Sequence, residues 1–429
     1  MIKTNIFVAI PVAIILVLVT RPIARRISKQ EQDPGIYRIL IAAAITHLLF
    51  CSVQLWVVDH IYHGVTDYNR YINQGAILAK RFDKFNFSLS HVQPPVQVLG
   101  QGSVSIAAGV VMAIVGVNKL ALFYVFSWFA FLATLAFYRA FSVTFPEANR
   151  RRYAWALFFL PSLLFWTSGI SKECMMFMSL GLSAYGAARV MAHERGGAVM
   201  LVIGTIIGVY VRPQELLLFM AAFAVAGLFR RKGDVQRAGK GVRRLAVMGL
   251  QAVLLLAAIS LSQKLAKHAP VFNLAQLAQN NRGQASSINY RPGPVYYFRD
   301  VYFVLFDPLP INAHGSTQKL AAFENSVIIL LFLTSLRRFA HLLRTVLLKP
   351  YVLLCVMYGA AFPYAFAALN NLGLIDRERV LLLPFLLVPL CIPLSKRKDP
   401  ARYPWESSER RRQRTSGPAR WGAPVAARR

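Results

Sequence analysis

Charged side chains are scarce in this chain, and acidic ones are the scarcest. Only 16% of its 429 residues are charged, and 18 Asp and Glu residues stand against 49 Lys and Arg. An ordinary soluble domain carries about 25% charged residues, so this composition argues against that class. The mean hydropathy of +0.46 agrees. We therefore expect a protein embedded in a membrane.

Cysteine motifs and alternating patterns are lacking too. The four cysteines stand singly in or beside apolar runs, without CxxC spacing, which argues against disulfides and zinc sites. The apolar runs do not alternate every second residue, which excludes an outer-membrane β-barrel. No module that reads nucleic acid accompanies the basic residues. We therefore attribute the net charge of +31 to membrane topology and predict no nucleic-acid partner.

Long apolar segments are what the chain has in abundance. Each approaches the roughly 20 residues that a helix needs to cross about 30 Å of hydrocarbon. They cover about residues 5–20, 39–58, 103–117, 119–141, 153–167, 174–191, 197–211, 216–229, 245–262, 323–336, 350–369 and 380–395. The first lacks a small-residue cleavage site and has its basic residues after it, so we expect a retained helix.

Basic residues concentrate in a few connecting segments, which sets the topology. They cluster in residues 21–38, 150–152, 230–244 and 337–349 and in the tail 396–429. The positive-inside rule assigns all five to the cytoplasm. We predict a multi-pass protein of the cell membrane, a bacterial inner membrane, with a disordered cytoplasmic tail.

This topology conflicts with one apolar segment. Both 103–117 and 119–141 lie between the outer loop 59–102 and the cytoplasmic residues 150–152, so only one can cross. The segment 103–117 is short and contains two glycines and two serines. We predict that they form an outer interfacial helix. The expected fold is an all-α bundle of about eleven spanning helices over residues 1–395.

Two long outer loops follow from this arrangement, 59–102 and 263–322. The second loop contains an aromatic-rich stretch at 294–310. Aromatic side chains favour the membrane interface, so we predict a second surface-lying helix there.

The first outer loop offers a candidate catalytic carboxylate, Asp67. A carboxylate at a membrane surface can act as a general base toward a hydroxyl. His60, His63 and Asp67 are spaced to share one helical face, which predicts a site for a divalent metal. The alternative is ordinary loop polarity with a helix cap.

A second candidate carboxylate, Glu173, lies in a short outer turn. It follows a helix end rich in aromatic residues and stands beside Lys172. The alternative, which does not exclude a site, is a capping turn. Ser171 would then cap the next helix, and Glu173 would complement its dipole.

Two arginines on the outer side, Arg377 and Arg379, oppose the positive-inside trend, and Arg212 adds further positive charge there. Arginine suits phosphate because its planar fork makes paired hydrogen bonds. We predict that they bind an anionic group. The alternative is local pairing with Asp376 and Glu378.

Together these motifs resemble the GT-C superfamily of membrane glycosyltransferases. The resemblance lies in a first outer loop with Asp67, the prolines 94–95, a surface helix at 103–117 and the helix end 161–165 before Glu173. It implies a polyprenyl-phosphate-linked sugar donor, a lipid-linked or cell-envelope glycan acceptor, and inversion by direct displacement.

The resemblance also implies roles for single residues. Asp67 matches the catalytic base, Glu173 the acidic residue of the second loop, and Arg377 or Arg379 the arginine that binds the lipid phosphate. The chain departs from the family by an extra first helix, by Lys-Glu in place of Asp, and by lacking a soluble outer domain. Substrate recognition would then fall to loop 263–322.

Other functions stay open. Residues 159–185 also resemble uncharacterised bacterial polytopic membrane proteins, which assign no activity. An envelope-polysaccharide polymerase or ligase would rely on the outer arginines alone. A transporter or flippase would be expected to keep charges near the centres of its helices, where this sequence has almost none. A membrane protein without catalytic activity is the last alternative.

Overall fold

In the computed structural model the described chain folds into helices, which confirms the all-α prediction. The structure describes residues 4–60, 67–89, 98–146, 148–229, 294–313, 316–366 and 372–394, together with Val92, Pro95 and Val96. The predicted segment 245–262, most of loop 263–322, His63 and the tail 396–429 lie outside the described residues.

The helices are numbered here in chain order. The first half of the chain contains α1 (Ile6–Glu31), α2 (Pro34–His60), α3 (Tyr68–Phe82), α4 (Gln101–Val115), α5 (Lys119–Thr144), α6 (Arg151–Phe159), α7 (Pro161–Thr167), α8 (Lys172–Met191), α9 (Gly197–Val211) and α10 (Pro213–Leu228). The second half contains α11 (Tyr297–Phe306), α12 (Ser316–Leu333), α13 (Leu336–Leu348), α14 (Pro350–Phe366), α15 (Leu372–Arg379) and α16 (Leu383–Leu390).

Several of these helices are suited to cross a membrane. Among the described residues, α1, α2, α5 and α8 are long and apolar enough, and the bent pair α12 and α13 makes a fifth if it counts as one span. These helices indicate a membrane protein. The apolar helices α4, α9, α10 and α14 have 15 to 17 residues. At 1.5 Å per residue they fall short of about 30 Å, so length alone does not establish eleven spans.

The predicted helix 153–167 is broken, which corrects the sequence-based expectation. Helix α6 ends at Phe159 and α7 begins at Pro161, with Leu160 between them in an extended conformation (φ −68°, ψ 123°). Proline disfavours the helical conformation of the residue before it, and its own backbone lacks an N–H donor.

Small residues bring α8 and α9 into close contact. A Cβ atom added to Gly186 would lie only 2.4 Å from the backbone nitrogen of Leu201. The Ser179 hydroxyl donates a hydrogen bond to the carbonyl oxygen of Gly204 at 2.7 Å. Close approach through small residues is typical of helix pairs in membranes, where burial of apolar surface adds little.

At one end of the bundle, turns predicted to be cytoplasmic meet. Glu31, at the end of α1, pairs with Arg139 at 3.2 Å and with Arg150 at 3.0 Å. Asp33 pairs with Arg151 at 2.8 Å. The turn between α1 and α2 therefore packs against the turn between α5 and α6.

At the opposite end, hydrogen bonds hold both ends of α4. The Gly100 N–H donates to the carbonyl oxygen of Tyr210, at the end of α9, at 2.8 Å. After α4, the Asn118 side-chain amide donates to the carbonyl oxygen of Asn5 at 2.7 Å. Helix α4 therefore begins and ends at the same end of the bundle.

Candidate functional site

A cluster of hydrogen bonds around Asp59 fixes the start of α3, next to Asp67. Asp59, at the end of α2, accepts hydrogen bonds from Lys119 at 2.8 Å and from the Tyr68 hydroxyl at 2.7 Å. Asp67 precedes Tyr68 and is exposed. Its side chain does not cap α3. Its carboxylate is therefore not held by the first turn of its own helix.

Glu173 lies in the first turn of α8 and is fully buried. The Ser171 side chain caps this helix by accepting from the Cys174 N–H at 3.1 Å, which confirms the predicted cap. One Glu173 oxygen accepts from Arg212 and the other from Arg377, each at 2.5 Å. Both oxygens of this carboxylate are therefore engaged by arginines.

Arg212 connects the turns that surround Glu173. It lies between α9 and α10, and its guanidinium also donates to Glu215 at 2.6 Å and to Glu378 on α15. Burial disfavours its charge, but Glu215, Glu378 and Glu173 outweigh burial and raise the pKa of Arg212. Three turns predicted on the outer side therefore meet in one buried charge cluster.

A cavity of about 290 Å³ opens beside this cluster. Asp67, Glu173 and Arg377 all line it. Its wall also includes Gln54, Val58, Tyr68, Tyr71, Phe123, Trp166 and Leu374. An apolar and aromatic wall with a few converging polar groups is typical of small-molecule sites. The structure thus brings together three of the residues that the sequence proposed as functional.

Two polar groups of the cavity wall lack partners. Within the described part of the chain, the Tyr71 hydroxyl and the Gln54 carbonyl oxygen are buried without a hydrogen bond. A buried polar group without a partner costs about 1–3 kcal/mol, so such groups are rare and require an explanation. Both residues line the cavity, so a bound ligand is a candidate partner for these two groups.

Burial and neighbouring charges set the protonation of two groups at the cavity, Tyr71 and Arg377. Burial, with the nearby carboxylates of Asp67 and Glu173, raises the pKa of Tyr71, which is therefore a neutral donor. Burial opposes the charge of Arg377, but Glu173 outweighs it and raises the pKa of that guanidinium. The cavity therefore offers a cation and an exposed carboxylate beside a neutral phenol buried in its wall.

Arg379 does not join the cavity. Its side chain is 1% exposed, and it donates to Asn325 at 2.7 Å and to the Leu305 carbonyl oxygen at 3.3 Å. It also pairs with Asp376 at 3.4 Å. Arg212 does not line the cavity either, so Arg377 alone of the three predicted arginines faces it among the described residues.

His60 packs on the surface of its own helix. Its ring stacks on Trp56 with 5.1 Å between centroids, and its Nδ1 lies 3.0 Å from the Trp56 carbonyl oxygen. Among the residues that the structure describes, no group of three or more His, Cys, Asp or Glu side chains is placed to hold a metal. The metal hypothesis includes His63, which is not described, and it stays a prediction.

Sequence reasoning missed Tyr71, Gln54 and Lys119. Two of them carry a signal that could have been used. Tyr71 follows Asp67 by four residues, which places both on one face of a helix. Gln54 is a polar residue inside an apolar segment, where such residues tend to face the protein interior. Nothing in the sequence pairs Lys119 with Asp59.

No protein-family model matches this chain, and neither a curated protein nor a solved structure matches it. Its candidate function is therefore argued from the geometry of the cavity.

Proposed function

We propose that the protein is a membrane glycosyltransferase that uses a polyprenyl-phosphate-linked sugar as donor. The observation that carries the proposal is the convergence of Asp67 and Arg377 on one cavity with an aromatic wall. The carboxylate suits an acceptor hydroxyl, and the guanidinium suits a phosphate. The acceptor would be a lipid-linked or cell-envelope glycan.

The reaction would proceed by a single displacement. Asp67 takes the proton of the acceptor hydroxyl, whose oxygen forms a bond to the anomeric carbon of the donor sugar. The bond from that carbon to the phosphate oxygen breaks, and polyprenyl phosphate leaves with the electron pair. Arg377 stabilises the developing negative charge, and the unpaired Tyr71 O–H donates a further hydrogen bond. The sugar is inverted.

In this mechanism, Glu173 would position the guanidinium of Arg377. Both of its oxygens accept hydrogen bonds from arginines, and it is fully buried, so it is poorly placed to take a proton from an acceptor. It would hold Arg377 toward the leaving phosphate. Arg212 would hold Glu173 in turn.

The proposed topology has eleven spans, with the fold of the GT-C superfamily and α4 lying at the outer surface. The bonds at both ends of α4 support this, as does the grouping of charged turns at two ends of the bundle. We place the protein in the cell membrane, with its cavity outside and its basic tail in the cytoplasm.

The test is a donor-turnover assay on the purified protein in lipid vesicles. A panel of polyprenyl-phosphate-linked hexoses and pentoses is offered with envelope glycan extracts, and released polyprenyl phosphate is measured. Arg377→Gln should raise the KM for the donor by roughly 10-fold or more, because a charged hydrogen bond is lost. The exposed Arg195, at the opposite end of the bundle, provides the control Arg195→Gln.

The same assay separates the alternatives. Loss of activity in Arg377→Gln but not in Asp67→Asn would favour a polymerase or ligase that needs no carboxylate base. Absence of release with every donor would contradict the proposal.

A transporter is the second candidate, because a buried polar cluster lies beside a broken helix. The Glu324 carboxylate accepts from the Ser162 N–H at 2.6 Å, in the first turn of α7. Arg379 lies near this carboxylate and donates to Asn325, the residue after Glu324. Broken helices with buried ionisable groups are common at transport sites. Uptake of intact lipid-linked sugar without phosphate release would favour this function.

A further inference from the structure

A second cavity, of about 560 Å³, lies between α6 and α12. Its wall is almost entirely apolar. It is formed by Trp155, Phe159 and Leu160 on one side and Val327, Leu330 and Leu331 on the other. Trp155 and Leu330 are 56% and 59% exposed. In a membrane protein, a cavity with such an exposed apolar rim faces lipid chains.

One end of this cavity carries a guanidinium group. Arg152 lines the cavity and donates to the hydroxyls of Thr334 at 2.9 Å and Ser335 at 2.8 Å. These hydroxyls orient the arginine without neutralising it. This end lies with the turns around Glu31 and Asp33, because Arg150 and Arg151 pair with those residues.

A second arginine lies close to the first. Arg338, in the first turn of α13, donates its backbone N–H to the Ser335 carbonyl oxygen at 2.7 Å, and the hydroxyl of the same serine accepts from Arg152. Both arginines lie near Cys391. The Nε atoms of Arg152 and Arg338 are buried without a hydrogen bond. Within the described part of the chain, neither arginine has a salt bridge to a carboxylate. Two like charges held together without an acidic partner favour an anionic ligand.

Helix α13 fits the same membrane surface. It meets α12 at a bend of 69° and has no buried residue. It combines basic residues such as Arg337 and Arg344 with leucines of which Leu343 is 72% exposed. A helix with both kinds of surface lies in the membrane interface and is attracted to anionic lipid.

From these observations we propose that the cavity between α6 and α12 binds an anionic phospholipid. The phosphate would lie at Arg152 and Arg338, and an acyl chain would occupy the apolar cavity. The volume lies within the range of about 300–1,000 Å³ typical of ligand sites. This site is separate from the cavity at Asp67.

The test is native mass spectrometry of the full chain, titrated with phosphatidylglycerol or with phosphatidylcholine of the same acyl chains. The wild type should bind the anionic lipid more tightly. Arg152→Gln and Arg338→Gln should each weaken that binding about tenfold, because each removes a charged hydrogen bond to the lipid phosphate. Arg344→Gln, on the same helix, removes an equal charge and should change binding little.

Two further arms identify the ligand. Ala156→Trp fills the cavity and should weaken phospholipid binding while leaving the arginines in place. Inorganic phosphate should not displace the lipid, because it cannot fill the apolar cavity. Arg152→Lys keeps the positive charge and should retain part of the binding. It thereby separates the loss of charge in Arg152→Gln from a folding defect.

Equal binding of both lipids by the wild type would overturn the proposal. An equal loss in Arg344→Gln would overturn it as well, because it would show attraction to the surface as a whole. Unchanged binding in Ala156→Trp, or displacement by inorganic phosphate, would exclude the cavity as the acyl-chain site.

Discussion

Glu173 combines complete burial with two arginine partners, and its removal should be costly. Glu173→Gln removes the negative charge between Arg212 and Arg377 and leaves both cations incompletely compensated in a buried cluster. Breaking a buried ion pair from one side typically costs about 3–5 kcal/mol. We expect a clear fall in the thermal midpoint of the detergent-solubilised protein.

The matched control for this prediction is Glu194→Gln. Glu194 pairs with Arg189 at 3.0 Å, but its side chain is 45% exposed. An exposed pair contributes less than about 1 kcal/mol, so the midpoint should barely change. Equal effects of the two substitutions would contradict the buried cluster.

Asp376 should make stability depend on pH. Burial is the main cause that raises its pKa to about 6, with Glu324 and Asp307 adding to the effect and Arg379 opposing it. Because the folded pKa exceeds the ordinary value of 3.8, the native state binds more protons than the unfolded state between these values. The free energy of unfolding should therefore fall as pH rises from about 4 through about 6.

Asp376→Asn should flatten this part of the pH profile of the thermal midpoint. Asp83→Asn, a substitution at an exposed carboxylate, should leave the slope as it is in the wild type. Identical slopes for wild type and Asp376→Asn would show that Asp376 does not titrate in this range.

At the scale of single residues, sequence reasoning reached part of the site. Asp67, Glu173 and Arg377 stand out in the sequence because polar residues are scarce and these three lie at the ends of apolar runs. The same pattern does not distinguish Arg377 from Arg379, two positions later. A short helix turns them in different directions, toward the cavity and toward Asn325, and only the packing around α15 determines which is which.

At the scale of helices, the contact between α8 and α9 should tolerate no added volume. Gly186→Ala would bring a methyl group to 2.4 Å from a backbone atom, which a side-chain rotation cannot relieve. Overpacking of this kind costs about 1–3 kcal/mol. We expect a lower thermal midpoint.

Gly359→Ala, in α14, is the matched control. The nearest heavy atom to an added Cβ is the Leu382 Cδ1 at 3.9 Å. Alanine also favours a helix more than glycine does, so stability should stay equal or rise. A harmless Gly186→Ala would contradict the close contact of α8 and α9.

The apolar segments of the sequence predict the positions of most helices. They do not predict where one segment is divided into two helices. The break at Pro161 is predictable from the sequence, because proline disfavours the helical conformation of Leu160 before it. The helix α3 was not predicted, because it lies in a polar loop. Its buried face, which includes Gly75 and Leu78, packs on Ala108 and Gly109 of α4.

For the whole molecule, the proposed topology predicts opposite accessibility of two surface positions. Asn86 follows α3 and Glu194 follows α8, and both are exposed. The native cysteines are buried, so they give little background labelling. In intact spheroplasts, an impermeant maleimide should label Asn86→Cys but should label Glu194→Cys only after permeabilisation. Labelling of both positions in intact spheroplasts would contradict the topology.

We propose that Asp67 acts as a base in the cavity that Arg377 lines. The most direct measurement is release of polyprenyl phosphate by Asp67→Asn, compared with Asp83→Asn, which removes an exposed carboxylate at the other end of α3. We predict a loss of kcat of about 100-fold or more for Asp67→Asn, with normal folding, and an unchanged rate for Asp83→Asn. Full activity of Asp67→Asn would contradict the account.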